Sequence, residues 1–121
     1  MKSIFITSFA VLSVFSGVAI AQDNIEKKKI DYLLSSIENI EGVIFIRNGT
    51  EHNGKEAVEH LRMKLKKAGG KVKTADDFIR LCASKSIISG KSYLIKSTDG
   101  KILNSEQYFR EKLKEYNSIG K

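Results

Sequence analysis

The sequence predicts an α+β fold: a single small domain in which helices pack on a small, mainly antiparallel sheet of three strands, in the order αβααββα. Two patterns carry the prediction. Apolar residues recur at three- and four-residue steps in several segments, and short apolar runs ending in turn residues fall between them. The two do not alternate regularly, as the βαβ units of a parallel sheet would.

Ile30, Leu33, Leu34, Ile37 and Ile40 form the stripe of an amphipathic helix from about Asp23 to Glu41, which Gly42 ends. Val43-Ile44-Phe45-Ile46 then reads as a buried strand running into a turn at Arg47-Asn48-Gly49, and Thr50 to Asn53 read as a loop. The second helix, from Gly54 or Lys55 to Ala68, places Ala57, Val58, Leu61 and Leu65 on one face and stops at Gly69-Gly70. Thr74 with Asp77 resembles a capping box and opens a third helix, with Phe78, Leu81 and Cys82 on its apolar side. A Ser-rich loop from Ser84 to Ser92 leads to the strand Tyr93-Leu94-Ile95-Lys96. Asp99-Gly100 is a two-residue hairpin signal before Lys101-Ile102-Leu103. Asn104 with Gln107 caps a last helix whose Phe109, Leu113 and Tyr116 face the core.

With 121 residues, 29% charged and 41% apolar, the chain has room for one domain and is neither a disordered polyelectrolyte nor a multi-span membrane protein. One Cys excludes a disulfide framework and a Cys-based zinc cage. Lys2, the apolar stretch Ile4 to Ile20 and the small-x-small end Ala19-Ile20-Ala21 read as a secretory signal cleaved after Ala21, with no Cys for lipoprotein processing. Removing those 21 of 121 residues takes away one cation, Lys2, and leaves a 100-residue domain of formal charge +6, expected in the periplasm without a membrane anchor.

Arg47, Asn48, His52 and His60 are the unusual set. Arg is a fork for anions and His an acid, base or ligand near neutral pH. The ordinary alternatives are that Arg47 braces loop carbonyls and Asn48-Gly49 is turn chemistry. His52, Glu56 and His60 stand at four-residue steps, yet on a helix the two His would lie about 12 Å apart, so at most one neighbouring pair could grip an ion. No metal or other cofactor is expected. Cys82 reads as a small core residue on its stripe. Arg62, Lys64, Lys66, Lys67, Lys71 and Lys73 are six bases uninterrupted by an acid, a solvated face or an attractor of anions. Aromatic interleaving for nucleic acid is lacking. The serine loop could cradle an anion, or cap a helix and its turn.

Ile44-Phe45-Ile46-Arg47-Asn48-Gly49, His52, Glu56-Ala57-Val58-x-His60-Leu61-Arg62-x-Lys64-Leu65, Thr74-Ala75-x-x-Phe78-Ile79, Ala83-Ser84-x-Ser86 and Ser89-Gly90-Lys91-x-Tyr93-Leu94-Ile95 together resemble the YfeK-like family of small exported bacterial proteins. The resemblance covers most of the chain after Ala21 and implies a periplasmic domain with no assigned reaction. It points to the same polar set: Arg47, Asn48, His52, His60, Lys64, Ser84 and Ser86. The chain departs from the pattern at Ser92, where the family has Pro, and at Lys85 and Ile87-Ile88, where its serine run is denser.

These features favour a non-enzymatic binding or envelope-accessory module whose polar cluster takes an anionic ligand or an envelope protein. The alternatives are a small hydrolase or transferase with a His general base and Arg47 on the developing charge, and an inhibitor or immunity-type protein.

Overall fold

A computed structural model describes residues 23–119. The segment read as a signal peptide, through Ala21, lies outside the described residues. Four helices and four strands follow one another within them. They are α1 (residues 23–38), β1 (Ile44–Arg47), β2 (Thr50–Asn53), α2 (Gly54–Ala68), α3 (Ala75–Cys82), β3 (Leu94–Lys96), β4 (Ile102–Asn104) and α4 (Ser105–Ile119). A single 3₁₀ turn, Gly69–Lys71, links α2 to the segment before α3. The class is α+β, as predicted.

The sheet differs from expectation in one strand. It has four strands in the order β2-β1-β3-β4, all antiparallel, so the element order is αββααββα. The added strand, β2, is Thr-Glu-His-Asn, with no apolar residue to announce it. It is held as an edge strand by its ladder to β1 and by the turn at Asn48-Gly49. Arg47 pairs with Thr50, leaving two central residues whose φ values, 52° and 79°, are both positive, as a type I′ hairpin requires. The second hairpin also differs: Ser97 N donates to Lys101 O at 2.9 Å, so three residues, Thr98 to Gly100, form the loop. Gly100 takes the positive φ of 87°. Asp99 accepts from the Ser97 hydroxyl and from Lys101 N, which lowers its carboxyl pKa.

The core lies between the helices and one face of the sheet. Alternation along β1 and β3 sends Phe45 and Ile95, paired in register, inward to meet Leu33 and Ile37 of α1, Val58 and Leu61 of α2, Phe78 and Ile79 of α3 and Phe109 of α4. Cys82 is 1% exposed, and burial pushes its thiol pKa up, which agrees with a core role. At the start of α2, Asn53 and Glu56 close a full capping box. Thr74 caps α3 by accepting from Asp77 N, but the shorter Asp77 carboxylate takes Lys73 N in return.

Candidate functional site

The β1–β3 register that pairs Phe45 with Ile95 and Ile46 with Leu94 places Arg47 opposite Tyr93 when continued by one rung, on the helix-covered face. Helix α2 crosses that face, and its residues His60 and Lys64, one turn apart, come down on the pair. Tyr93 is fixed at both ends of its backbone: its N–H donates to Ser84 O at 2.9 Å and its carbonyl accepts from Ser105 N at 2.8 Å.

The four side chains form one hydrogen-bonded chain. Arg47 Nη1 lies 3.1 Å from His60 Nδ1, and His60 Nε2 lies 3.3 Å from the Tyr93 hydroxyl. Lys64 Nζ donates to the same hydroxyl at 2.9 Å and to Lys85 O at 3.1 Å. A guanidinium can only donate, so Nδ1 accepts and the ring proton sits on Nε2, which donates to the phenol. The Lys64 ammonium stands 4.8 Å from the centre of the Tyr93 ring, at its hydroxyl end.

The same arrangement sets the charge of His60. Burial, then the positive charges of Arg47 and Lys64, with His52 and Lys67 adding to the field, lower its pKa from 6.5 to about 4. His60 is therefore neutral at pH 7. No ion pair engages Arg47 or Lys64 among the described residues.

Of the residues singled out from sequence, Arg47, His60 and Lys64 are thus brought together. His52 lies alongside in β2, opposite Phe45 and half-buried, and its side chain makes no hydrogen bond to Arg47, His60, Lys64 or Tyr93. The other three lie in turn and loop. Asn48 occupies the hairpin turn, where its amide oxygen accepts from Ser89 Oγ. Ser84 Oγ donates to Ile79 O at the end of α3, and the buried Ser86 accepts from Ser89 N while its backbone closes the loop with Lys91 and Gly90. The serine loop is in this respect a brace, built by capping and turn bonds. Glu56, midway between the two His in sequence, is committed to its capping box.

Residues 24–117 match the model of a family described as "Family of unknown function (DUF5329)". The chain belongs to that family. It is also similar to the protein named "Uncharacterized protein YfeK" of Salmonella typhimurium, 41% identical over 68 residues that cover 56% of this chain and 57% of the relative. The chain thus matches a little over half the length of that protein. No solved structure matches. The family supplies no reaction, so the chemistry of the cluster rests on its geometry.

Tyr93 belongs to the site although its place in the sequence, first residue of an apolar strand, marks it only as core. The signal was present: a tyrosine two residues from Ile95 shares its inward face, and a buried phenol needs a partner for its hydroxyl. Beside the cluster, Lys64, Lys67, Ala68, Lys71, Leu81 and Ile87 line a cavity of about 260 Å³ with three lysines and an apolar lining.

Proposed function

We propose that this member of the DUF5329 family is an exported, periplasmic, non-enzymatic binding module that holds an anionic group, free or on an envelope partner, at Arg47 and Lys64, the two cations that neutral His60 positions. One observation carries the reading. The cluster presents a guanidinium with unused N–H donors at one end and an ammonium at the other, and no ion pair neutralises either among the described residues. An anion is the chemistry such a group lacks. The hydrolase alternative is less well supported. A general base needs a free lone pair and a pKa near the working pH, whereas Nδ1 of His60 is occupied by Arg47, and the ring's pKa is about 4.

The test is a titration with inorganic phosphate at constant ionic strength, followed by the NMR shifts of His60 and the Arg47 side chain. Saturable shifts that weaken by about tenfold or more in a folded Arg47→Gln variant are expected. Linear, unsaturated drift in both proteins overturns the site, and turnover of an envelope substrate lost in folded His60→Gln overturns the non-enzymatic reading. For export, protein recovered from the periplasmic fraction should begin at Gln22.

A further inference from the structure

Between α3 and β3 the chain makes a closed, hydrogen-bonded tip. Lys85 and Ser92 form a bridge, Ser86 N donates to Lys91 O at 3.0 Å, and Gly90 N donates to Ser86 O at 2.9 Å. Ser89 ties this tip to the first hairpin through Asn48. On this framework sit two consecutive isoleucines, Ile87 at 83% exposure and Ile88 at 99%. They are the most exposed of the large apolar side chains among the described residues, and they stand on a braced tip where a polar residue would serve the turn equally well. Their surroundings are cationic: Lys85 and Lys91 flank the tip, and Lys67 and Lys71 line the cavity that Ile87 helps to close. None of these four lysines is in an ion pair among the described residues.

We infer that the Ile87-Ile88 tip is a peripheral docking element for an anionic phospholipid surface. The two isoleucines enter the headgroup–acyl boundary, and Lys67, Lys71, Lys85 and Lys91 face the lipid phosphates. The charge pattern selects this occupant. An apolar wedge with a basic collar matches the layering of an anionic bilayer, whose phosphates lie outside its hydrocarbon, and each basic residue near such a surface adds to binding. The inference goes beyond the anion cluster and does not depend on it, since Arg47 and His60 take no part.

Co-sedimentation with vesicles of phosphatidylglycerol and phosphatidylethanolamine tests it, with phosphatidylcholine vesicles as the comparison. The protein should pellet with the anionic vesicles, lose binding as salt rises, and partition on the order of tenfold more weakly as Ile87→Ser/Ile88→Ser. Lys67→Gln/Lys71→Gln should weaken binding by a similar factor. Both pairs are on the surface, so unchanged thermal melts will show that the fold is intact. Because the chain has no Trp, Ile88→Trp supplies a single tryptophan, excited at wavelengths the tyrosines do not absorb, whose emission should shift to the blue on anionic vesicles only. Equal binding by the isoleucine variants, measured on protein that begins at Gln22, overturns the inference. So does an unshifted Trp, or failure to pellet, which would leave the tip to a protein partner.

Discussion

Arg47 and His60 are joined across the packing of β1 on α2 by a hydrogen bond of 3.1 Å in which the guanidinium donates and ring Nδ1 accepts. That single contact fixes the tautomer, opposes ring protonation and hands the Nε2 proton to Tyr93. An imidazole that could act as a base in isolation becomes a neutral connector between two cations.

The first consequence is a pH dependence of stability. In the unfolded chain His60 returns to its ordinary value of 6.5, whereas in the fold it titrates at about 4. Between those values the unfolded state binds more protons, so stability is fully present above pH 6.5 and falls as pH drops through 6.5 toward 4. Allowing for solvent screening of a half-exposed ring, the loss is about 1–2 kcal/mol. Urea unfolding between pH 7 and pH 5, above the range where most carboxylates titrate, should show this slope in the wild type and a flattened one in His60→Gln. Equal slopes would falsify the buried-neutral assignment.

A second prediction concerns the phenol. Tyr93→Phe keeps the ring packed against Phe45, at a centroid distance of 5.2 Å, and removes only the acceptor shared by Lys64 and His60. Stability should fall by about 1–2 kcal/mol in denaturant titrations, since the Nε2 proton is left without its partner while Lys64 keeps the Lys85 carbonyl. A change within experimental error would mean that the hydroxyl contributes nothing to the cluster.

Two glycines offer a paired test of why the helical and sheet layers meet as they do. Gly54, the first residue of α2, is buried against the end of α1, and a Cβ there would overlap the Ile37 carbonyl, which belongs to backbone that cannot swing aside. Gly54→Ala should cost about 3 kcal/mol or more. At Gly49 a Cβ meets nothing within 4 Å, so Gly49→Ala carries only the strain of its φ of 79°, about 1–2 kcal/mol. Thermal melts of the two variants should differ clearly; similar melting temperatures would contradict the tight α1–α2 junction.

How much of this was legible depends on which physical signal each part leaves in the sequence. Burial leaves the strongest trace, so β1, β3 and the helices could be read from Phe45, Ile95 and the three- and four-residue stripes. Strand β2 leaves none, because Thr50, Glu51 and Asn53 are exposed and its only credentials are backbone bonds to β1 and an Asn-Gly turn. Arg47, His60 and Lys64 could be chosen by chemical type. Their meeting could not, since it depends on the β1–β3 register and on where α2 crosses the sheet. Ser84 and Ser86 show the converse limit: hydroxyls suited to an anion are equally suited to a helix end and a turn, and only the fold around them separates the two uses.

A tie that spacing could not suggest spans 49 residues. Glu26 on α1 is 7% exposed, and its Oε1 accepts from Ala75 N in the first turn of α3 at 2.8 Å, while Oε2 holds Lys29 at 3.1 Å. The first-turn amides of a helix have no partner within it, and the positive end of its dipole favours a carboxylate, so Glu26 acts as a long-range cap. Glu26→Ala leaves a buried N–H unpaired and should cost about 2–3 kcal/mol, whereas Glu26→Gln keeps an acceptor, gives up the charge and should cost about 1 kcal/mol or less. Urea unfolding of the two variants, which leaves charges unscreened, separates the contributions: equal large losses assign the effect to the charge, and equal small ones remove the cap. The expected ordering, Ala well below Gln, would show that hydrogen bonding to α3 outweighs the Lys29 pair, as the burial of the carboxylate and the partial exposure of the lysine require.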